Sequence, residues 1–136
     1  MRLLDLTCSP DHLSPAALAF VGDGVFELFA REWLACQANR PAKELNQRKV
    51  QMVSAPAQAA GFDKIEGTLT PKEYEIFKRG RNAHVGHVPK NATHAQYHCA
   101  TGLETLFGWL YLSGQTKRAA ALFQQLFCDE MLDIHS

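Results

Sequence analysis

The sequence predicts an all-α protein, a helical bundle of five or six helices. Three observations lead there. Apolar residues recur with the 3.6-residue period of a helix through most of the chain. No segment sustains the period-two alternation of a half-buried strand, and no Asn-Gly or Asp-Gly pair sits between two alternating stretches as a hairpin would require. Helix-start signals, Ser-Pro and Thr-Pro pairs, precede the periodic runs.

The first helix opens at Ser14-Pro15. Ser14 can accept from a free amide of the first turn, and Pro15 fits the first helical position, where a missing N–H costs nothing. Leu13 and Leu18 are spaced for a hydrophobic staple across that cap. Apolar positions follow at 18, 21, 25, 28 and 29 and continue to Trp33 and Leu34. Phe20 and Phe26 widen the stripe almost all round, so this helix is expected to be central and buried on several sides. A second helix starts at Pro41 with Leu45, Val50 and Val53 on one side; Pro56 ends or kinks it and Gly61 closes the segment. A third begins at Thr70-Pro71, with Glu73 placed to complete a capping box, and runs to about Gly80. The loop RGRNAHVGHVPKNAT follows. A fourth helix spans about His94 to Leu112, and a fifth about Thr116 to Met131.

At 136 residues the chain is expected to form one domain, residues 1–136. It has 14 Lys+Arg against 14 Asp+Glu, so a polyanion site would have to come from local clustering rather than overall charge. Cys8, Cys36, Cys99 and Cys128 form no C-x-x-C pair, which argues against a zinc ribbon or redox motif and for free thiols in a reducing compartment. MRLLDLTCSPDHL lacks the apolar core of a signal peptide, and Asp23 interrupts the longest apolar run before it reaches membrane-spanning length. A cytoplasmic protein with no membrane partner is expected, and the sequon at Asn91-Ala92-Thr93 then carries no meaning.

Two acids stand out because each lies in an otherwise apolar helix. Asp23 sits in FVGDGVFELFA, between Gly22 and Gly24; Glu104 sits in GLETLFGWLYL, with Gly102 before it and Gly108 one turn on. Glycine inside a helix costs roughly 1 kcal/mol relative to Ala and makes sense where another backbone or a ligand must come close. If the two helices cross at these glycines, the acids face each other, and a divalent cation with oxygen ligands would relieve their repulsion. The competing reading is that a carboxylate in an apolar helix points outward or pairs locally. Glu27, with Arg31 four residues on, fits that reading. Asp23 and Glu104 have no base one turn away in either direction.

Between Lys72 and Lys90 lie five basic residues (Lys72, Lys78, Arg79, Arg81 and Lys90) and two acids, Glu73 and Glu75, a local excess of +3 in a chain with no net charge. Such a segment is either a solvated loop or a clamp for phosphate backbone. The shortage of aromatic residues there disfavours single-strand stacking and suits a duplex read by shape. The same region holds His84, His87, His94 and His98 beside Cys99, which leaves a zinc-stabilised interaction module as an alternative, although no H-E-x-x-H motif is present.

FVGDGVFE, with its Gly22-Asp23 pair, resembles the signature helix of the ribonuclease III endonuclease domain, and ATGLETLFGWLYL resembles that family's second acidic helix, with Glu104 and Gly108 in matching places. Val53-Ser54-Ala55 followed by Gln58-Ala59, then Lys78 to Ala83, Pro89-Lys90-Asn91 and Tyr97, resemble the short Mini-ribonuclease III branch, which consists of the catalytic domain alone. Full-length members carry further acids where this chain has Ala19 and Thr101, so only Asp23 and Glu104 carry over as catalytic and metal-holding residues. The resemblance implies a Mg2+-dependent endoribonuclease, with Mn2+ able to substitute, cutting double-stranded or structured RNA to leave 5′-phosphate ends. It implies a homodimer, with Phe26, Phe29 and Trp33 either at the interface or filling the monomer's own core, and a role in maturing large-subunit (23S-type) ribosomal RNA precursor. Lys78, Arg79, Arg81 and Lys90 are the expected RNA-backbone contacts. A non-catalytic RNA-binding module on the same fold is the other alternative.

Overall fold

A computed structural model describes residues 2–4, 7–83 and 87–128. Among these, six α-helices and no strand occur: α1 (Pro15–Gln37), α2 (Ala42–Val53), α3 (Ala55–Ile65), α4 (Pro71–Arg81), α5 (His94–Leu112) and α6 (Thr116–Leu126), with single 3-10 turns at Pro10–His12 and Glu66–Thr68. No helix of the described residues is long and apolar enough to cross a membrane.

The caps at Ser14 and Thr70 form where the sequence places them. Ser14 Oγ accepts from Ala17 N at 3.1 Å. Thr70 Oγ1 accepts from Glu73 N while Glu73 Oε1 accepts from Thr70 N, a reciprocal box that starts α4. Thr93 and Gln96 build a second such box at the start of α5.

α5 is the axis of the fold. It packs against α1, α3, α4 and α6, and nine of its residues between Ala100 and Leu110 are buried. Around it lies an aromatic core. Phe26 contacts Phe107 and Phe123, each at 5.2 Å between ring centroids, and Phe62 stacks on Phe77 at 4.1 Å. Arg118 of α6 grips the buried Glu73 carboxylate with two bonds of 2.9 Å and reaches Thr68 O at 3.0 Å, tying α6 to the start of α4. Burial pushes the Glu73 carboxyl up, but Arg118 and the Thr70 backbone outweigh it and hold it below the usual carboxylate range.

Three expectations are corrected. The expected second helix is two, because Pro56 lies in the first turn of α3, where proline is tolerated, and Ser54 caps that new start through Ala57 N. Gly61 therefore ends nothing: it lies inside α3, where a Cβ would stand 3.0 Å from Leu126 O and 3.1 Å from the Leu126 side chain. α1 is not buried on several sides. Its buried positions are Leu18, Gly22, Phe26, Ala30 and Leu34, one i,i+4 line, while Phe20 is 83% and Leu28 54% exposed. The last helix ends at Leu126 with Phe127 as its cap, and the remainder of the stretch expected to reach Met131 lies outside the described residues beyond Cys128.

Candidate active site

The crossing of α1 over α5 is a contact of main chains. A Cβ on Gly22 would overlap the carbonyl oxygen of Glu104 and lie 2.7 Å from Gly108 N; a Cβ on Gly108 would overlap the carbonyl oxygen of Leu18 and lie 3.0 Å from Gly22 N. Any side chain at either position would force the helices apart, so the glycines are required here by close approach. Asp23 follows Gly22, and Glu104 supplies one of the touching carbonyls. The two acids, 81 residues apart in the chain, meet as a result.

Their carboxyls are close enough to interact by charge and by a side-chain hydrogen bond. Asp23 is exposed, whereas Glu104 is half-buried. Burial first, and then the charge of Asp23, raises the Glu104 carboxyl to about 8 from an ordinary 4.5. Among the described residues no basic side chain ion-pairs with either acid. A carboxyl raised that far holds its proton at neutral pH.

One partner of Glu104 enters the sequence analysis only through the family resemblance, with no sign there of its contact. Gln58, in the first turn of α3 and 1% exposed, donates from Nε2 to Glu104 Oε2 at 3.4 Å and to the last carbonyl of α2, Val53 O, at 3.0 Å. The expected pairing of Glu27 with Arg31 is present at 3.5 Å, but its shorter contact is with Lys49 of α2 at 2.6 Å. Lys49, foremost, and Arg31 hold the Glu27 carboxyl below its ordinary range against a smaller effect of burial. No local spacing in the sequence could have pointed to Gln58 or Lys49, since they lie 46 and 22 residues from their partners.

At the positions of the missing acids, Ala19 is half-buried and Thr101 is buried, with its hydroxyl donating to Tyr97 O at 3.0 Å. That bond ties the Thr101 side chain to its own helix.

The last turn of α4 sits beside the same stretch of α5. Gly80 of α4 presses on α5 where a Cβ would meet the Thr105 side chain and approach Gly102 Cα to 3.1 Å, on either side of Glu104 in sequence. This anchors the last turn of α4, which carries Lys78, Arg79 and Arg81, a placement that also suits the negative end of the helix dipole. Lys78 lies over the Tyr74 ring at 5.2 Å and Arg81 over Phe77 at 5.7 Å, while Arg79 and Lys90 are exposed. His94 and His98 have ring centroids 6.4 Å apart, His87 is exposed, and His84 lies outside the described residues. Among the described residues no group of three or more His, Cys, Asp or Glu could hold a metal, so the zinc alternative gains no support. Cys8, Cys36 and Cys99 are free thiols.

A model of the ribonuclease III domain matches residues 16–115. Proteins named Mini-ribonuclease 3 are similar over most of their length. One from a Thermoanaerobacter species is 41% identical over 106 residues, covering 78% of this chain and 75% of the relative. One from Brevibacillus brevis is 38% identical over 127 residues, covering 93% and 95%, and one from Synechococcus is 44% identical over 115 residues, covering 85% and 81%. A crystal structure of a Fusobacterium nucleatum protein superposes with a TM-score of 0.82 at 27% identity, covering 90% of this chain and 99% of that one. The chain belongs to the ribonuclease III family and, within it, to the Mini-ribonuclease 3 branch. It is an enzyme of the endoribonuclease class.

Proposed function

We propose that the protein is a Mg2+-dependent endoribonuclease acting on double-stranded or structured RNA, with Asp23 and Glu104 as the metal-holding catalytic pair. The supporting observation is the glycine crossing, which forces two carboxyls without basic partners into mutual contact. The donor set fits Mg2+. Two hard oxygen ligands that repel one another invite a divalent cation, and Mg2+ commonly keeps several waters beside one or two protein carboxylates. Mn2+ accepts the same donors.

When bound, the ion supplies charge neutralisation at the scissile phosphate and acidifies a water. The chain's own contributions are positional. Asp23, on the exposed face of α1, faces the solvent from which a phosphate would arrive, and Glu104 anchors the site from the buried side. Glu104 must give up its proton for both carboxylates to serve. Attack by water at phosphorus in line with the 3′ oxygen would form a new P–O bond, break P–O3′, and so leave 5′-phosphate and 3′-hydroxyl ends. Lys78, Arg79, Arg81 and Lys90 would neutralise the RNA backbone, without reading sequence.

The active form would be a homodimer, one site per strand. Phe26 is in the monomer's own core, and Phe29 and Trp33 pack against that core, so the interface expected of them moves to Phe20 and Leu28. With Gly24, beside which space is open, these form an exposed i,i+4 line next to Asp23. A second copy seated there would set two acid pairs near one another. Large-subunit ribosomal RNA precursor, a duplex-bearing RNA of the kind such a dimer would cut, is the substrate we assign.

Cleavage of long duplex RNA, followed with and without Mg2+ beside a single-stranded control, tests this reading. Asp23→Asn should abolish cleavage and leave duplex binding largely intact. Full activity in that variant would remove Asp23 from the mechanism.

A further inference from the structure

We infer that Gln58 is a positioning residue of the acid pair: its amide fixes the direction in which Glu104 presents its carboxylate toward Asp23. The inference deepens the metal-site reading above and rests on it. Gln58 is a polar side chain in the closed interior, 1% exposed. Both atoms that its Nε2 faces, Val53 O and Glu104 Oε2, are acceptors, so the orientation of the amide is set: reversing it would place an oxygen against two oxygens. The bond to Val53 is to main chain at the end of α2 and gives the amide a rigid mount. The α2–α3 corner that provides this mount is itself fixed, by the Ser54 cap on α3 and by Lys49 of α2 bound to Glu27, one turn past Asp23. One corner of the fold thus holds both helices that bear the acids.

The other amide atom points the same way. Gln58 Oε1 is buried and has no hydrogen-bond partner among the described residues. A buried acceptor left unpaired costs about 1–3 kcal/mol, and a side chain serving only to cap Val53 would have no reason to bear it. The amide is retained because its donor is needed at Glu104. Groups that orient metal ligands in this way typically account for about 10–100-fold in metal affinity.

The test uses Gln58→Met, which keeps length and volume but removes the donor, with Mn2+ binding to the RNA-free protein measured by electron paramagnetic resonance. Wild type, Gln58→Met and Glu104→Ala are compared. The expected result is a Kd raised about 10-fold in Gln58→Met, duplex-RNA affinity without metal unchanged, and cleavage partly restored by excess Mg2+. Binding lost in Glu104→Ala but wild-type in Gln58→Met would overturn the role of Gln58 while leaving the acid pair standing. Wild-type binding in Glu104→Ala would overturn both. Should Gln58→Met fail to fold, the side-chain amide resonance of Gln58 in the wild-type protein decides: it should shift on Mg2+ titration, and an unmoved resonance refutes the assignment.

Discussion

Replacing Glu104 by Gln separates what the site costs the fold from what it does for catalysis. The folded protein holds the Glu104 proton up to about pH 8, whereas the unfolded chain releases it near 4.5. Between those values the native state binds more protons than the unfolded state, so stability falls as pH rises and levels off above about 8. The gap corresponds to roughly 5 kcal/mol as an upper limit. Solvent at the exposed Asp23 screens the pair and lowers the realised figure to roughly 2–3 kcal/mol. The substituted amide would keep the shape and still accept from Gln58 through its oxygen, but would carry no charge against Asp23. In chelator, Glu104→Gln should match wild type at about pH 5 and exceed it by about 2–3 kcal/mol at about pH 9, while cleavage is lost. Urea unfolding across this range measures it. Millimolar Mg2+ should then raise wild type at the alkaline end and leave the variant where it was. A variant no more stable than wild type at high pH, or wild-type stability rising through the window, would refute the account of the paired acids.

Three further outcomes are expected. Gly22→Ala or Gly108→Ala should destabilise by more than about 3 kcal/mol or prevent folding, since backbone cannot yield as a side chain can; Gly67→Ala, beside which space is open, should fall within about 0.5 kcal/mol of wild type, and equal urea midpoints for all three would contradict the crossing. Replacing Arg79 and Arg81 together with Ala should weaken duplex binding and lower the slope of log K against log salt by about 2, whereas an unchanged slope in filter binding would show a merely solvated turn. Phe20→Glu should turn a dimer into a monomer by sedimentation without loss of helical signal, and a persisting dimer would place the interface elsewhere.

What can be read from the chain alone follows the range of the interaction concerned. Caps are local, and Ser14 and Thr70 each start a helix where capping chemistry puts it. The acid pair is legible because glycine leaves a trace at both ends of a long-range contact: Gly22 and Gly108 weaken their helices unless something comes close. Gln58 leaves no such trace, since a glutamine in a helix is ordinary until its burial is known. Arg118, which neutralises Glu73 across 45 residues, is invisible for the same reason. The buried face of α1 escapes the sequence because a helix apolar on nearly every side does not announce which side meets the core. Phe26 and Phe20 are the same residue type, six positions apart, yet one is 1% and the other 83% exposed.

The helix crossing also bears on how freely this protein can diverge. Where two side chains set the spacing of a reactive pair, each change of core volume retunes it. Here the separation of α1 and α5 is set by peptide groups in van der Waals contact, which every sequence with glycine at 22 and 108 supplies alike. The surrounding Phe and Leu residues can therefore drift in size while the distance between the acids stays as it was.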